Sequence, residues 1–133
     1  MNAPLPDAVP AGQTLAITAE ALYLINLMLL PVFGFLILSV VYFKYRHHVP
    51  PLAAVHLQQT FTASLWAGFL LVIVNSLIIL TGGYHSSAVW VIVILYFTVV
   101  HSSLILLGML GLAKAMAGES FHYPLVGWSG GKL

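Results

Sequence analysis

Three apolar runs, Ala21–Phe43, Phe61–Leu80 and Ala88–Ala113, alternate with short polar stretches along this chain. Each run holds about 20 to 26 residues, enough to cross a hydrocarbon core of about 30 Å at roughly 1.5 Å per residue. None contains lysine, arginine, aspartate or glutamate. The pattern predicts an all-α integral membrane protein, a bundle of three transmembrane helices. Continuous runs of this length lack the period-two alternation that marks the strands of an outer-membrane barrel.

Breakers and caps divide the chain further. Residues 1–17 read as an extended N-terminal arm, because Pro4, Pro6 and Pro10 oppose helix there. Residues 18–118 form the membrane domain, and residues 119–133 a cytoplasmic surface tail. Thr18 is the expected N-cap of the first helix, with Glu20 in its first turn, where the helix dipole favours an anion. Pro31 and Gly34 predict a kink within that helix. Pro50-Pro51 breaks the chain, and residues 52–60 lead through the headgroup layer into the second helix. Gly82-Gly83 supplies a turn, Ser86 or Ser87 caps the third helix, and Gly118 stops it.

Charge sets direction. All four lysines and arginines, Lys44, Arg46, Lys114 and Lys132, lie beside the spans on one side. By the positive-inside rule the C-terminus is cytoplasmic and the N-terminus outside. Interfacial aromatics fit this arrangement, with Tyr23, Tyr84 and Trp90 at the outer level and Tyr42, Tyr45 and Trp128 at the inner. No basic segment precedes the first run, so it reads as a retained span and not a cleaved signal. The expected location is a bacterial inner membrane, with the chain crossing it several times.

Composition then removes whole classes of function. Charged residues are 5% of the chain, against about 25% in soluble proteins. A net charge of +1 offers no field for nucleic acid. The absence of cysteine excludes disulfides, thiolate metal sites and thiol catalysis. No paired carboxylates, phosphate loop, HExxH or GxSxG pattern occurs, so no enzyme is expected. Ser64 with His101 is the single nucleophile–base pair that can be assembled, and its members differ in depth by about one helical turn of some 5 Å.

The remaining candidates are polar groups inside the spans, the usual place to look for membrane function. Asn26 and Asn75 fall at similar depth, so a hydrogen bond between the first two helices is expected, worth about 0.6 to 2 kcal/mol. His101 lies near the middle of the third run, level with Gly34 and Gly68, and reads first as a structural, neutral histidine. It is also the candidate ligand for haem or chlorophyll, although no second histidine shares its depth. His47, His48 and His56 sit near the cytoplasmic boundary and read as solvated. Gly111 and Ala115 make a small-residue face suited to close helix packing. No cofactor is expected, whereas contacts with membrane lipids are.

Two segments carry a resemblance. One runs from Pro31-Val-Phe-Gly34 through Lys44-Tyr-Arg46 to Val55-His56-Leu-Gln-Gln-Thr-Phe61, and the other is Ala113-Lys114 through Gly118-Glu119-Ser-Phe-His-Tyr123-Pro124-Leu125. Together they resemble a family of small bacterial three-helix membrane proteins of unknown function. That family is distantly similar to the channel component of the chloroplast inner-envelope preprotein translocon. His56 and Gln59 match its loop pattern, and Gly118, Glu119, Tyr123, Pro124 and Leu125 match its tail. Leu57, Gln58, Thr60 and His122 depart from it. The resemblance implies an oligomeric translocation or transport component.

Independently of that likeness, the tail is expected to fold back onto the His56–Gln59 segment and close the inner end of the bundle. The residues themselves favour a small non-enzymatic subunit that packs against, and stabilises, a larger integral membrane complex. The expected partners are lipids and either that larger protein or further copies of the chain, with no nucleic acid. A cofactor-binding subunit using His101 is the further alternative.

Overall fold

The computed structural model describes residues 8–125, and among these every regular element is helical. Five helices form: α1 (Gln13–Met28), α2 (Phe33–Tyr45), α3 (Pro51–Leu80), α4 (Ser87–Leu95) and α5 (Ser102–Met116). A π-helical turn, Tyr96–His101, joins α4 to α5, so that Ser87–Met116 is one rod of 30 residues. This rod and α3, also 30 residues, are long and apolar enough to cross a membrane.

The first apolar run is not a single helix. It breaks over Leu29–Val32 and reverses, so that α1 and α2 form an antiparallel hairpin. Pro31 lacks the amide a continuing helix needs, and Val32 adopts φ 73°. The Oδ1 atom of Asn26 accepts the freed amides of Val32 at 3.2 Å and Phe35 at 3.1 Å. Gly34 lets the two helices touch, because a Cβ there would lie 2.7 Å from the backbone N and Cα of Asn26. At about 1.5 Å per residue α1 and α2 are roughly 24 and 20 Å long, short of a full crossing. The expected kink at Pro31 is a complete turn, and the expected first span is two shorter helices.

This reversal corrects the relation between the start of α1 and the end of α5. A Cβ on Gly12 would meet Ala53 and Pro50 at the start of α3, at 2.9 and 3.1 Å. The Gln13 side chain donates to the carbonyls of Ala115 and Met116 at 3.2 and 2.7 Å, closing the end of α5. The start of α1 therefore lies at the same end as the α2–α3 loop and the end of α5, not opposite them. The helix also begins five residues ahead of the expected Thr18 cap, since Thr18 donates to Thr14 within α1.

Two apolar cores follow. The larger joins Ala19, Tyr23, Leu38, Leu57, Ala63 and Tyr123, where the hairpin and tail seat against α3 and α5. Tyr42 stacks on Phe61 with centroids 4.2 Å apart, fixing α2 to α3. The smaller core joins Val74, Ile78, Val89 and Tyr96, where α3 meets only the first part of the other rod. Gly82 and Gly83, at φ 109° and 70°, make the turn between them, and Ser86 Oγ accepts from the Ala88 amide to begin α4.

Candidate functional site

Along α3 the residues His56, Gln59, Thr60, Ala63, Ser64 and Ala67 recur at helical spacing and are all buried. They form a polar and small stripe on one face of an otherwise apolar helix. Opposite it, α1 presents Ala16, Ala19, Glu20 and Tyr23, which are also buried. Glu20 and His56 are both 0% exposed, which corrects the expectation of a solvated His56 at the boundary. His56 Nδ1 lies 2.6 Å from Glu20 Oε1, and His56 Nε2 lies 2.9 Å from the Glu119 carbonyl oxygen.

A carbonyl only accepts, so Nε2 carries a proton. One further proton lies between Nδ1 and Glu20, and the pair is net neutral whichever atom holds it. Gln59 completes the arrangement from both ends of its amide. Its Nε2 donates to Glu20 Oε1 at 3.2 Å, and its Oε1 accepts the Tyr123 amide at 2.9 Å. The Tyr123 hydroxyl donates to Glu20 Oε2. Three donors thus converge on one carboxylate, which is how a buried charge is tolerated.

The helix α5 and the tail contribute to this centre as well. From α5, a Cβ on Gly111 would lie 2.6 Å from Glu20 Cδ, so only glycine leaves room for the carboxylate. The small face of Gly111 and Ala115 is therefore an internal seat for α1. Tyr23 Oη donates to the Leu104 carbonyl at 3.2 Å. The tail reaches the centre because Gly118, at φ 72°, ends the helix and turns the chain back. Lys114 holds the tail from outside through Glu119 at 2.5 Å. Burial raises the Tyr123 phenol well above its ordinary value, and the Glu20 carboxylate adds to that.

The residues singled out in the sequence separate into groups. His56, Gln59, Glu119 and Tyr123 are brought together, Glu119 through its backbone carbonyl and its bond to Lys114. Pro124 is exposed beside them. Lys44, Arg46 and Lys114 lie exposed at this same end, and Lys132 lies outside the described residues. Asn26 and Asn75 do not pair, which corrects that expectation. Asn26 serves the hairpin turn, whereas Asn75 donates to Leu71 and accepts from Tyr84 at 2.7 Å. Their equal depth assumed a first helix that runs straight.

His101 packs on neither Gly34 nor Gly68. It ends the π-helical turn, with its ring 5.2 Å from that of Phe97, and lines a cavity that Ser64 also lines. Ser64 and His101 thus border one space although about one helical turn of depth was expected to separate them.

Glu20 and Tyr23, expected at the outer level, lie instead beside His56 and Tyr123. A detectable signal was a lone carboxylate in an apolar helix, three residues from a tyrosine, facing a His-x-x-Gln pair on one side of another helix. Compared with known protein families, curated proteins and solved structures, the chain has no match.

Proposed function

We propose that this chain is a small non-enzymatic subunit of the bacterial inner membrane that packs against, and stabilises, a larger integral complex. Two membrane-crossing rods and a re-entrant hairpin would place Lys44, Arg46 and Lys114 together, and the positive-inside rule would make that end cytoplasmic. Both Gly12 and the tail then lie inside, in place of the opposite-sided termini expected from three spans.

The observation that carries the reading is the incomplete outer half. The hairpin stops near the level of Ala67–Leu71, beside which Pro31 and Val32 lie. Beyond that level α3 and α4 are a bare helix pair, with Leu77, Ile79, Leu80, Trp90 and Val91 exposed. A helix from another protein would occupy the position that the hairpin leaves open. The inner polar centre supports a structural role, because its members are saturated by one another and none is left aimed at a substrate.

Site-specific photocrosslinking at Leu77 and at Ile79, in native membranes, tests this. The expected result is a discrete protein adduct of constant mass that also co-purifies in mild detergent. Adducts with lipid alone, together with a monomeric mass in detergent, would remove the reading. No observation favours the transport or haem readings over this one.

A further inference from the structure

Ser64 is the last polar member of the α3 stripe, and its Oγ is the buried side-chain atom without a hydrogen-bond partner among the described residues. The residue is 4% exposed. A buried hydroxyl left unpaired costs free energy, so its persistence calls for a partner. Ser64 lines a cavity of about 610 Å³ whose wall also includes Phe35, Gly68, Tyr96, Phe97 and His101. That volume falls within the roughly 300 to 1,000 Å³ of small-molecule sites.

The π-helical turn Tyr96–His101 supplies three of those wall residues. One extra residue rotates the following rod by roughly 100° relative to a continuous α-helix. Such turns are frequent at functional sites.

The wall chemistry narrows the ligand. Among the described residues no lysine, arginine, aspartate or glutamate lines the cavity, so these offer a phosphate or carboxylate no counter-charge. The cavity also borders the middle of α3, a helix long enough to cross the membrane, which places it away from lipid headgroups. The Ser64 hydroxyl and one imidazole N–H of His101 can both donate, and carbonyl oxygens would satisfy both. Three aromatic rings offer surface for a flat ring. A stray acyl chain would fill the space and leave Ser64 unpaired.

We propose that this cavity binds an uncharged, lipid-soluble ring compound bearing carbonyl acceptors, the chemistry of a prenylated benzoquinone, with Ser64 and His101 donating to its carbonyls. Binding is the whole claim, and no electron transfer is implied.

The test uses the full chain in phosphatidylcholine nanodiscs, with a radiolabelled decyl-benzoquinone as probe and empty discs as the partition blank. Saturable binding at one probe per chain is expected. Ser64→Ala should weaken it by about five- to tenfold, the worth of one neutral hydrogen bond. Gly68→Leu should abolish it with helix content unchanged, since nothing lies within 4 Å of a Cβ added at Gly68. A decylbenzene without carbonyls should not compete. Uptake equal to that of empty discs, competition by decylbenzene at equal concentration, or unaltered binding in both variants would each overturn the assignment.

Discussion

Glu20 and His56 meet at 2.6 Å with neither exposed to solvent, so each is tolerable only because the other is present. Removing one partner of such a pair costs about 3–5 kcal/mol, whereas exchanging both for apolar groups costs far less. Glu20→Leu and His56→Leu should each lower the unfolding midpoint in detergent sharply, while the double variant E20L/H56L should lose less than the sum. Additive losses would show that the pair is not coupled. The Tyr123 phenol is raised above its ordinary value of 10.0 by burial first and by the Glu20 carboxylate second. Its contribution is therefore fully present below pH 10.0 and lost as pH rises through the higher folded value, because the unfolded tyrosine ionises first. An alkaline titration should show stability falling above that pH, and Tyr123→Phe should flatten the fall. An identical fall in the variant would assign it to another group.

At the scale of elements, the α1–α2 hairpin depends on one side chain and one missing side chain. Asn26 Oδ1 receives the Val32 and Phe35 amides, and inside a bilayer no water would replace it. Asn26→Ala should cost about 0.5–2 kcal/mol, the range for a lost helix cap. Gly34→Val should do at least as much damage by forcing the helices apart, at about 1–3 kcal/mol for overpacking. Amide hydrogen exchange over 32–35 should quicken in both variants while α3 stays protected. Unchanged exchange there would mean that the turn is held by other contacts. The kink residues were visible in the sequence. The reversal was not, because Pro31 and Gly34 permit both a bent span and a turn, and the choice rests on what α1 can reach once it folds back.

For the whole molecule, the hairpin decides which segments share an end. With Gly12 against Pro50 and Ala53, and Gln13 bonded to the end of α5, the beginning of α1 shares its end with the tail. The chain has no cysteine, so single cysteines report position cleanly. Ala11→Cys and Ser120→Cys should react with an impermeant maleimide only after the inner face is opened, while His85→Cys should react in intact spheroplasts. Labelling of Ala11→Cys together with His85→Cys would restore a full first span.

Sequence alone determined what depends on local pattern and composition. Charge-free runs predicted the apolar helices, Gly82-Gly83 and Gly118 marked a turn and a stop, and the tail was placed against His56 and Gln59 from shared position at one boundary. Tertiary structure decided what depends on contact between distant segments. It turned a span of sufficient length into a hairpin, and it carried Glu20 from one supposed face to the opposite end. There the carboxylate meets His56, Gln59 and Tyr123 in a space that Gly111 leaves free. The physical reason is that hydropathy measures the cost of leaving water and says nothing of partners. A lone carboxylate at the edge of an apolar run scores the same whether it faces headgroups or three donors supplied from other parts of the chain.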